Sequence, residues 1–215
     1  MIKIAPSVLA ADFTKLGDEI NSVDTSDYLH FDVMDGIFVP NISFGLPVLE
    51  SIRKITNLIL DVHLMIDTPS RLIPRFAEAG ADIITFHVEA EPPDNIQNVI
   101  NNIHKLGKKA GLSISPDTSA NAVLPFIESL DLILVMTVEP GYGGQKFISE
   151  MLPKISMLRG IIDSLGINCE LEVDGGIGIK TAKQCVDAGA DVLVAGVDIF
   201  GAVDRAVQIE KLRNV

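Results

Sequence analysis

Two segments of the sequence carry polar side chains at every second position between apolar residues. His30 and Asp32 lie two positions apart in the first segment, and His63 lies in the second. A third apolar segment ends at Asp174. Successive side chains of a β-strand point to opposite faces, so residues two apart share a face. If the three segments are strands of one sheet, two histidines and two aspartates can converge on the same side of it.

Such a set of side chains can bind a metal ion. Imidazole nitrogens together with carboxylate oxygens suit zinc, iron(II), manganese or cobalt, and do not resemble the all-oxygen cage that calcium prefers. A lone histidine in a strand is more often satisfied separately inside the core. The joint pattern favours a shared cation, because burying two unpaired carboxylates is costly. We therefore expect one divalent ion, Zn, Fe(II), Mn or Co, bound by His30, Asp32, His63 and Asp174.

Three methionines and a serine stand near these polar residues. Met34 and Met65 follow on the same faces of the first two segments, and Met136 lies in a further apolar run. The methionines could pack as an apolar lid around the reacting atoms, although spacing alone favours an ordinary core role, since methionine fills irregular gaps. Ser7, at the end of the first apolar run, could donate its hydroxyl to a substrate oxygen.

Three turns in the second half of the chain are rich in glycine. Glycine exposes backbone N–H groups and lets a ligand approach closely, which is one way in which loops bind phosphate. Turn geometry alone could require glycine at each position, but three such loops together favour an anion site. Lys146 is the one basic residue in these turns, so backbone amides and helix N-termini would have to supply the binding. The glycines are Gly141, Gly143, Gly144, Gly175, Gly176 and Gly196.

These residues resemble the ribulose-phosphate 3-epimerase family, and the likeness runs along nearly the whole chain. The resemblance implies a phosphate-binding (β/α)8 barrel, and interconversion of D-ribulose 5-phosphate and D-xylulose 5-phosphate in the pentose phosphate pathway. The matching stretches are Ala5 to Ser7, His30 to Gly45, Asp61 to Met65, Met136 to Gln145 and Val173 to Gly176.

The resemblance also implies roles for individual residues. It implies that His30, Asp32, His63 and Asp174 hold the metal and that the two aspartates are the catalytic base and acid. It places Met34, Met65 and Met136 near the reacting carbons. The positions that match substrate contacts in the family are Ser7, His63, Gly141, Tyr142, Gly143, Gly144, Asp174, Gly175, Gly176, Gly196 and Val197.

Epimerisation beside a ketone fits two aspartates on different strands. The reaction removes a proton from one face of a carbon and returns a proton to the other face, so it needs two groups on opposite sides. Asp32 and Asp174 lie on the second and seventh strand-like segments, three strands apart around an eight-stranded ring. A metal touching the ketone and hydroxyl oxygens would stabilise a cis-enediolate. We therefore expect two-base proton transfer at carbon 3.

One departure from the family leaves the substrate open. Val197-Asp198 stands where the family usually has Ser-Ala, which removes a hydroxyl donor and adds an acid near the expected phosphate. D-allulose-6-phosphate 3-epimerase activity, with the same mechanism, stays an alternative. A decarboxylase of the phosphate-binding barrel type would need a lysine beside the carboxylates, and none occurs on these segments. A non-catalytic sugar-phosphate-binding barrel would not need opposed carboxylates and metal ligands.

The elements that must position these residues follow a regular alternation. Apolar strand-like runs alternate with amphipathic stretches, and eight such units predict a parallel sheet covered by helices, hence a single α/β domain over residues 1–215. The predicted strands are Ile2 to Val8, Tyr28 to Met34, Leu58 to Ile66, Ile83 to Val88, Ala110 to Ile114, Leu132 to Val138, Cys169 to Val173 and Val192 to Ala195. The predicted helices are Phe13 to Val23, Pro47 to Ile55, Pro69 to Ala79, Asp94 to Leu106, Ser119 to Ser129, Ser149 to Leu165, Lys180 to Ala188 and Ala202 to Arg213.

A short sequence occurs twice, half a barrel apart. Residues 78–83 and 187–192 share an acidic residue followed by Ala-Gly-Ala-Asp and a β-branched residue, and each copy precedes a predicted strand. The repeat could record duplication of a half-barrel. Equally, it could be a favourable turn from helix to strand, which is the interpretation we prefer.

Composition and net charge indicate which classes of binding partner to expect. A net charge of −12 argues against binding to the phosphate backbone of nucleic acids. No run approaches the roughly 20 apolar residues of a membrane span, and the first residues lack the layout of a signal peptide, so we expect a cytoplasmic protein without membrane contact. Cys169 and Cys185 show no metal or disulfide spacing and are expected to be buried. The partner is a small ketose phosphate, and apolar helix faces with the family resemblance suggest a homo-oligomer.

Overall fold

The protein is described by a computed structural model that covers residues 1–215, and its centre is one parallel sheet of eight strands. Neighbouring strands pair in the order β1-β8-β7-β6-β5-β4-β3-β2, and a parallel bridge between Ser7 and His30 joins β1 to β2. The predicted (β/α)8 barrel is therefore confirmed. The strands are β1 Lys3–Pro6, β2 Tyr28–Met34, β3 Ile59–Met65, β4 Ile83–His87, β5 Lys109–Ile114, β6 Leu132–Met136, β7 Glu170–Asp174 and β8 Val192–Ala195.

Helices cover the outside of the sheet. In α4 the buried residues are Ile96, Val99, Ile100 and Ile103, the spacing of one face of a helix that packs on a sheet. No helix has the length and apolar character that a membrane span requires. The α-helices are α1 Leu16–Asn21, α2 Leu46–Arg53, α3 Ile73–Glu78, α4 Ile96–Lys105, α5 Leu152–Leu165, α6 Ile179–Asp187, α7 Val197–Phe200 and α8 Arg205–Arg213. The 3₁₀ helices are Val8–Ala10, Phe13–Lys15, Pro69–Arg71, Val88–Ala90, Ala120–Ala122, Leu124–Ser129 and Ser149–Met151.

The largest differences from the predicted helices lie at two places. The stretch from Ser119 to Ser129 forms two 3₁₀ helices, Ala120–Ala122 and Leu124–Ser129, and no α-helix. Pro125 stands in the first turn of the second one, and its missing N–H and its ring do not fit within a continuous α-helix. The short helix α7, directly after β8, was not predicted.

The apolar core has two layers. Outward-facing strand residues such as Phe31 and Phe86 pack against the helices in a large cluster. A smaller cluster, which includes Leu134 and Val194, fills the inside of the barrel. Both cysteines are buried free thiols, as expected.

Four aspartates make the same contacts at the amino ends of the even-numbered strands, and we call them the basal clamps. In each clamp Oδ2 accepts a hydrogen bond from a backbone N–H of the preceding odd-numbered strand, at 2.8–2.9 Å. The same oxygen lies 2.6–2.9 Å from a side-chain nitrogen of arginine or histidine. The clamps are Asp27 with Ile4 and Arg213, Asp82 with Leu60 and Arg53, Asp131 with Ala110 and His104, and Asp191 with Leu171 and Arg159.

The clamps explain the repeated Ala-Gly-Ala-Asp segment. Gly80 and Gly189 have φ values of 111° and 108°, in the region that favours glycine. A Cβ at either position would lie 2.5 Å from Cγ of Arg53 or 2.4 Å from Cγ of Arg159. The glycines therefore leave room for the two arginines to cross the helix end and reach their aspartates.

Candidate active site

The four residues predicted to bind metal come together at the carboxyl end of the barrel. Asp32 and His63 are register partners on β2 and β3, while Asp174 closes β7. One donor atom from each of His30, Asp32, His63 and Asp174 lies within 4.8 Å of the other three. Asp32 Oδ1 is 3.2 Å from His30 Nε2 and 3.1 Å from His63 Nδ1, and Asp174 Oδ2 is 3.9 Å from His30 Nε2.

The chemistry of this cluster fits a divalent cation. His30 and His63 are fully buried, Asp32 is nearly so, and the Asp174 side chain is 17% exposed. Neither aspartate pairs with a lysine or an arginine, so two carboxylates share a buried site with imidazoles alone. A set of two nitrogen and two oxygen donors is typical of divalent zinc and its first-row neighbours. The cluster can therefore hold one such ion.

The surroundings shift the pKa values of the two aspartates in opposite directions. Burial opposes ionisation of Asp32, but the charge and hydrogen bonds of His30, with help from His63, outweigh it and hold the pKa of Asp32 well below its usual range. Burial, followed by repulsion from Asp32, raises the pKa of Asp174 to about 7. Two carboxyl groups whose pKa values are separated in this way suit one base and one acid.

The two histidines differ as well. Burial works against a charge on His30, but Asp32 and Asp61 raise its pKa well above the usual value. Burial lowers the pKa of His63 to about 4, so this ring is neutral near pH 7. A neutral imidazole is the form that binds a metal ion.

Beneath the cluster, polar groups that sequence reasoning missed contact the far side of each histidine. His30 Nδ1 lies 2.6 Å from Asp61 Oδ2, and His63 Nε2 lies 2.9 Å from His87 Nε2. His87 Nδ1 lies 3.1 Å from Glu89 Oε2. Asp61 lies two positions before His63, and His87 two before Glu89, so the same alternation of polar residues could have found them.

A pocket of about 990 Å³ opens above the cluster. His30 and His63 lie below its floor, whereas Asp32 and Asp174 line it. Ser7 lines it too, although its Oγ donates to Asp32 Oδ2 at 2.7 Å. The other predicted residues that line it are Met34, Met65, Met136, Gly141, Tyr142, Gly143, Gly144, Gly175, Gly176, Gly196 and Val197.

The three methionines lie on two sides of this pocket. Met34 and Met65 are register partners on β2 and β3, and they pack with Val39. Met136 on β6 is the register partner of Asp174. The methionines are buried to 4% exposure or less and present apolar surface next to both aspartates.

The glycine loops present unpaired backbone donors to the pocket. The N–H groups of Gly143, Gly144, Gly176, Ile177 and Val197 make no hydrogen bond within the chain, and all five residues line the pocket. No lysine or arginine lines it. Unpaired amides from neighbouring loops form the kind of concave site that holds an anion.

The glycines of these loops differ in how much space a side chain would have. A Cβ at Gly143 would have Leu9 Cδ2, at 3.8 Å, as its sole neighbour within 4 Å, so the space above this residue is open. Gly176 has φ 65°, and a Cβ there would lie 2.5 Å from the backbone nitrogen of Phe147. Gly176 is therefore required by the packing of two loops. At Gly143 the space that a side chain would fill is part of the pocket.

The residues that depart from the family pattern lie at the rim of the same pocket. Val197 is 62% exposed, and its Cγ2 would be 3.9 Å from a Cβ at Gly144. Asp198 also lines the pocket, and its Oδ2 accepts a hydrogen bond of 2.6 Å from Gln208 Nε2. Gln208 keeps one carboxylate oxygen of Asp198 engaged beside the unpaired amides.

Solved structures share this architecture. KGPDC from Streptococcus mutans matches with a TM-score of 0.72 at 13% identity, over 100% of this chain and 96% of that chain. The 3-hexulose-6-phosphate synthase from Salmonella typhimurium matches with a TM-score of 0.72 at 20% identity, over 99% and 97%. At such identities the likeness shows the fold alone.

Sequence relatives identify the family. The Ribulose-phosphate 3 epimerase family matches residues 3–200. Ribulose-phosphate 3-epimerase of Bacillus subtilis is 47% identical over 217 residues, which cover 100% of this chain and 99% of that protein. The protein of the same name from Mycobacterium tuberculosis is 48% identical over 211 residues, which cover 98% and 91%. The resemblance seen in the sequence is confirmed, and the chain belongs to the ribulose-phosphate 3-epimerase family, as an isomerase of carbohydrate metabolism.

Proposed function

We propose that this chain is a metal-dependent epimerase that interconverts D-ribulose 5-phosphate and D-xylulose 5-phosphate in the pentose phosphate pathway. The observation that carries the proposal is the pair Asp32 and Asp174. They line one pocket, have pKa values displaced in opposite directions, and share a buried donor set with two histidines. Sequence relatives named ribulose-phosphate 3-epimerase support the choice of substrate.

In the proposed reaction the two aspartates exchange a proton with opposite faces of carbon 3. Asp32, whose pKa lies well below neutrality, is the ionised group that accepts the proton in one direction. Asp174, with a pKa of about 7, is the group that delivers a proton to the other face, and the roles reverse for the reverse reaction. A positioned acid or base typically contributes a factor of ~100 to 10,000 in rate.

His30, Asp32, His63 and Asp174 would hold one divalent ion, Zn, Fe(II), Mn or Co. An ion held there would supply Lewis-acid stabilisation of the negative charge that develops when carbon 3 loses its proton. The apolar surface of Met34, Met65 and Met136 excludes water from that carbon.

Backbone amides hold the phosphate group in this proposal. The donors are the five unpaired N–H groups around the glycine loops, since no basic side chain lines the pocket. Tyr142, which is half exposed and donates from its hydroxyl to the carbonyl oxygen of Pro40 at 2.9 Å, ties the β6 loop to the β2 loop above the substrate. The pocket volume of about 990 Å³ accommodates a ketose phosphate.

Mutation tests the two-aspartate mechanism. Asp32→Asn and Asp174→Asn are each expected to lose nearly all turnover while the protein stays folded and still binds inorganic phosphate. Because both carboxylates also belong to the metal set, bound metal must be measured beside kcat. Turnover near that of the unmodified protein in either variant would contradict the mechanism.

Metal removal is a second test. Chelation is expected to abolish turnover, and one of Zn²⁺, Fe²⁺, Mn²⁺ or Co²⁺ is expected to restore it when returned. Full activity in protein shown by elemental analysis to be free of metal would contradict the assignment of the four ligands.

A second substrate is favoured by one observation. Val197, which lacks the hydroxyl common in the family, is largely exposed at the rim of the phosphate loops. D-allulose 6-phosphate, which would react by the same mechanism, is therefore the alternative. Comparison of kcat/KM for ribulose 5-phosphate and allulose 6-phosphate decides between them, and a higher value for allulose 6-phosphate would overturn the pentose assignment.

The expected homo-oligomer and the cytoplasmic location stay predictions from the sequence. Light scattering on the purified protein measures the number of subunits. Fractionation of cells that contain the protein measures its location.

A further inference from the structure

A line of contacts leads from the proposed metal site towards the surface. His63 Nδ1 faces Asp32, and on the other side of the ring His63 Nε2 lies 2.9 Å from His87 Nε2. His87 Nδ1 in turn lies 3.1 Å from Glu89 Oε2. His63 and His87 are fully buried, whereas the Glu89 side chain is 27% exposed. Three residues thus connect the cluster to the loop that follows β4.

The positions of the protons along this line can be deduced. A histidine that binds a metal through Nδ1 must carry its proton on Nε2. His63 Nε2–H then donates to His87 Nε2, which must be unprotonated, so a neutral His87 carries its proton on Nδ1. That proton points at Glu89 Oε2, and an ionised carboxylate can only accept. Every link therefore runs in one direction, from His63 to Glu89.

The loop around Glu89 favours the ionised form of its carboxylate, which can only accept hydrogen bonds. Its Oε1 accepts from the backbone N–H of Ser115 at 2.9 Å and from the hydroxyl of Thr118. Burial alone would raise the pKa of Glu89, but the hydrogen bonds from His87, Thr118 and Ser115 outweigh burial and keep the pKa low. Lys154 Nζ fixes the same loop by donating to the backbone carbonyls of Ser115, Pro116 and Thr118.

We propose that Glu89, acting through His87, is a positioning residue that sets the tautomer of His63 and so presents the His63 Nδ1 lone pair to the metal ion. This inference rests on the proposed metal site. Partners that fix the unbound nitrogen of a metal-binding histidine typically change metal affinity by ~10- to 100-fold when they are removed. One side chain, that of His87, separates Glu89 from His63, and Glu89 does not line the pocket.

Glu89→Gln is the sharpest perturbation. The backbone N–H of Ser115 can only donate, so the carbonyl oxygen of the introduced amide must take the place of Oε1. The amide nitrogen then faces His87 Nδ1 and donates to it, which moves the His87 proton to Nε2. Two protonated Nε2 atoms would face each other, so His63 is driven towards the tautomer that carries its proton on Nδ1.

Glu91→Gln is the matched control. Glu91 lies on the same loop and is 5% exposed, and its carboxylate accepts from the backbone N–H of Ser70 and from Asn95 Nδ2, both at 2.8 Å. It makes no hydrogen bond or ion pair with a histidine. Glu89→Asp serves as the conservative variant, because it keeps a carboxylate on the loop.

The first measurement is the Kd for Zn²⁺, by competition with a chelator. We expect Glu89→Gln to bind Zn²⁺ at least tenfold more weakly than the unmodified protein, Glu91→Gln to stay within twofold, and Glu89→Asp to fall between. An affinity for Zn²⁺ in Glu89→Gln within twofold of the unmodified protein, or an equal loss in Glu91→Gln, would overturn the inference. Failure of the unmodified protein to bind any of Zn²⁺, Fe²⁺, Mn²⁺ and Co²⁺ would overturn the metal site itself.

The second measurement needs no variant. In the Zn²⁺-loaded unmodified protein, ¹⁵N NMR of the histidine side chains is expected to show the proton of His63 on Nε2 and that of His87 on Nδ1. A proton on Nε2 of His87 would overturn the inference, whether or not any variant folds.

Discussion

The buried carboxylate of Asp174 is expected to destabilise the metal-free protein. Its pKa is raised from 3.8 to about 7 by burial and by Asp32, so ionising it in the folded state is costly. At about 1.4 kcal/mol per pH unit, the full difference corresponds to about 4 kcal/mol. The side chain is 17% exposed, and solvent reduces the cost. We therefore expect Asp174→Asn to raise the free energy of unfolding of the metal-free protein by about 2 kcal/mol at pH 8.

The sign of the pH dependence follows from which state binds the proton more tightly. The folded protein holds the Asp174 proton up to about pH 7, whereas the unfolded chain releases it near pH 3.8. Between these values the folded state binds more protons, so the stability of the metal-free protein falls as pH rises and stays low above pH 7. Asp174→Asn removes this decline. The gap between variant and unmodified protein is thus widest above pH 7 and narrows towards pH 4.

Urea unfolding in the presence of a chelator measures this difference, and a thermal scan should show a shift of about 6 °C for a chain of this size. Asp24→Asn, at an exposed position, is the control and should change little. Added Zn²⁺ should reverse the order, because only the unmodified protein retains all four ligands. If metal-free Asp174→Asn is no more stable than the unmodified protein at pH 8, the cost assigned to burying this carboxylate is wrong.

Four further outcomes are expected, three at the glycine loops and one at the barrel base. Gly143→Ala should leave the melting temperature unchanged but weaken inorganic phosphate binding. Gly176→Ala should lower the free energy of unfolding by more than about 1 kcal/mol, because it combines a positive φ with a backbone collision. Val197→Ser should tighten inorganic phosphate binding by about tenfold or more, the effect of one added hydrogen bond to a charged group, as measured by competitive inhibition. Asp82→Ala should lower the free energy of unfolding by about 2 kcal/mol in urea titrations without changing the Kd for Zn²⁺.

The strands were predictable because each is a short apolar run between turns. The predicted bounds of β2 and β8 match the structure residue for residue, since the burial of their side chains follows directly from sequence. The stretch from Ser119 to Ser129 was less predictable, because apolar spacing of three to four residues fits both a 3₁₀ and an α-helix. Pro125 decides between them through a local steric effect that periodicity does not register.

Within the site, alternation along β2 and β3 was enough to bring His30, Asp32 and His63 together. The same rule applied at the end of β4 would have drawn attention to His87 and Glu89, but a lone histidine in a strand more often belongs to an ordinary core. Which nitrogen of His63 faces Asp32, and which faces His87, depends on ring orientation set by tertiary packing. No sequence pattern carries that information.

The basal clamp at Asp27 also bears on how the chain folds. It joins β1, through Ile4, to Arg213 of α8, and Arg205 of the same helix reaches Glu19 of α1; each of these ion pairs spans 186 residues of sequence. The other three clamps join neighbours in the chain within 32 residues. The contacts of those three clamps can therefore form as synthesis proceeds. The pairing of β1 with β8 and the contact of Asp27 with Arg213 must wait until the C-terminal part of the chain has left the ribosome. Until then the sheet of the nascent chain has two unpaired edge strands. The chain is most prone to aggregation during this interval.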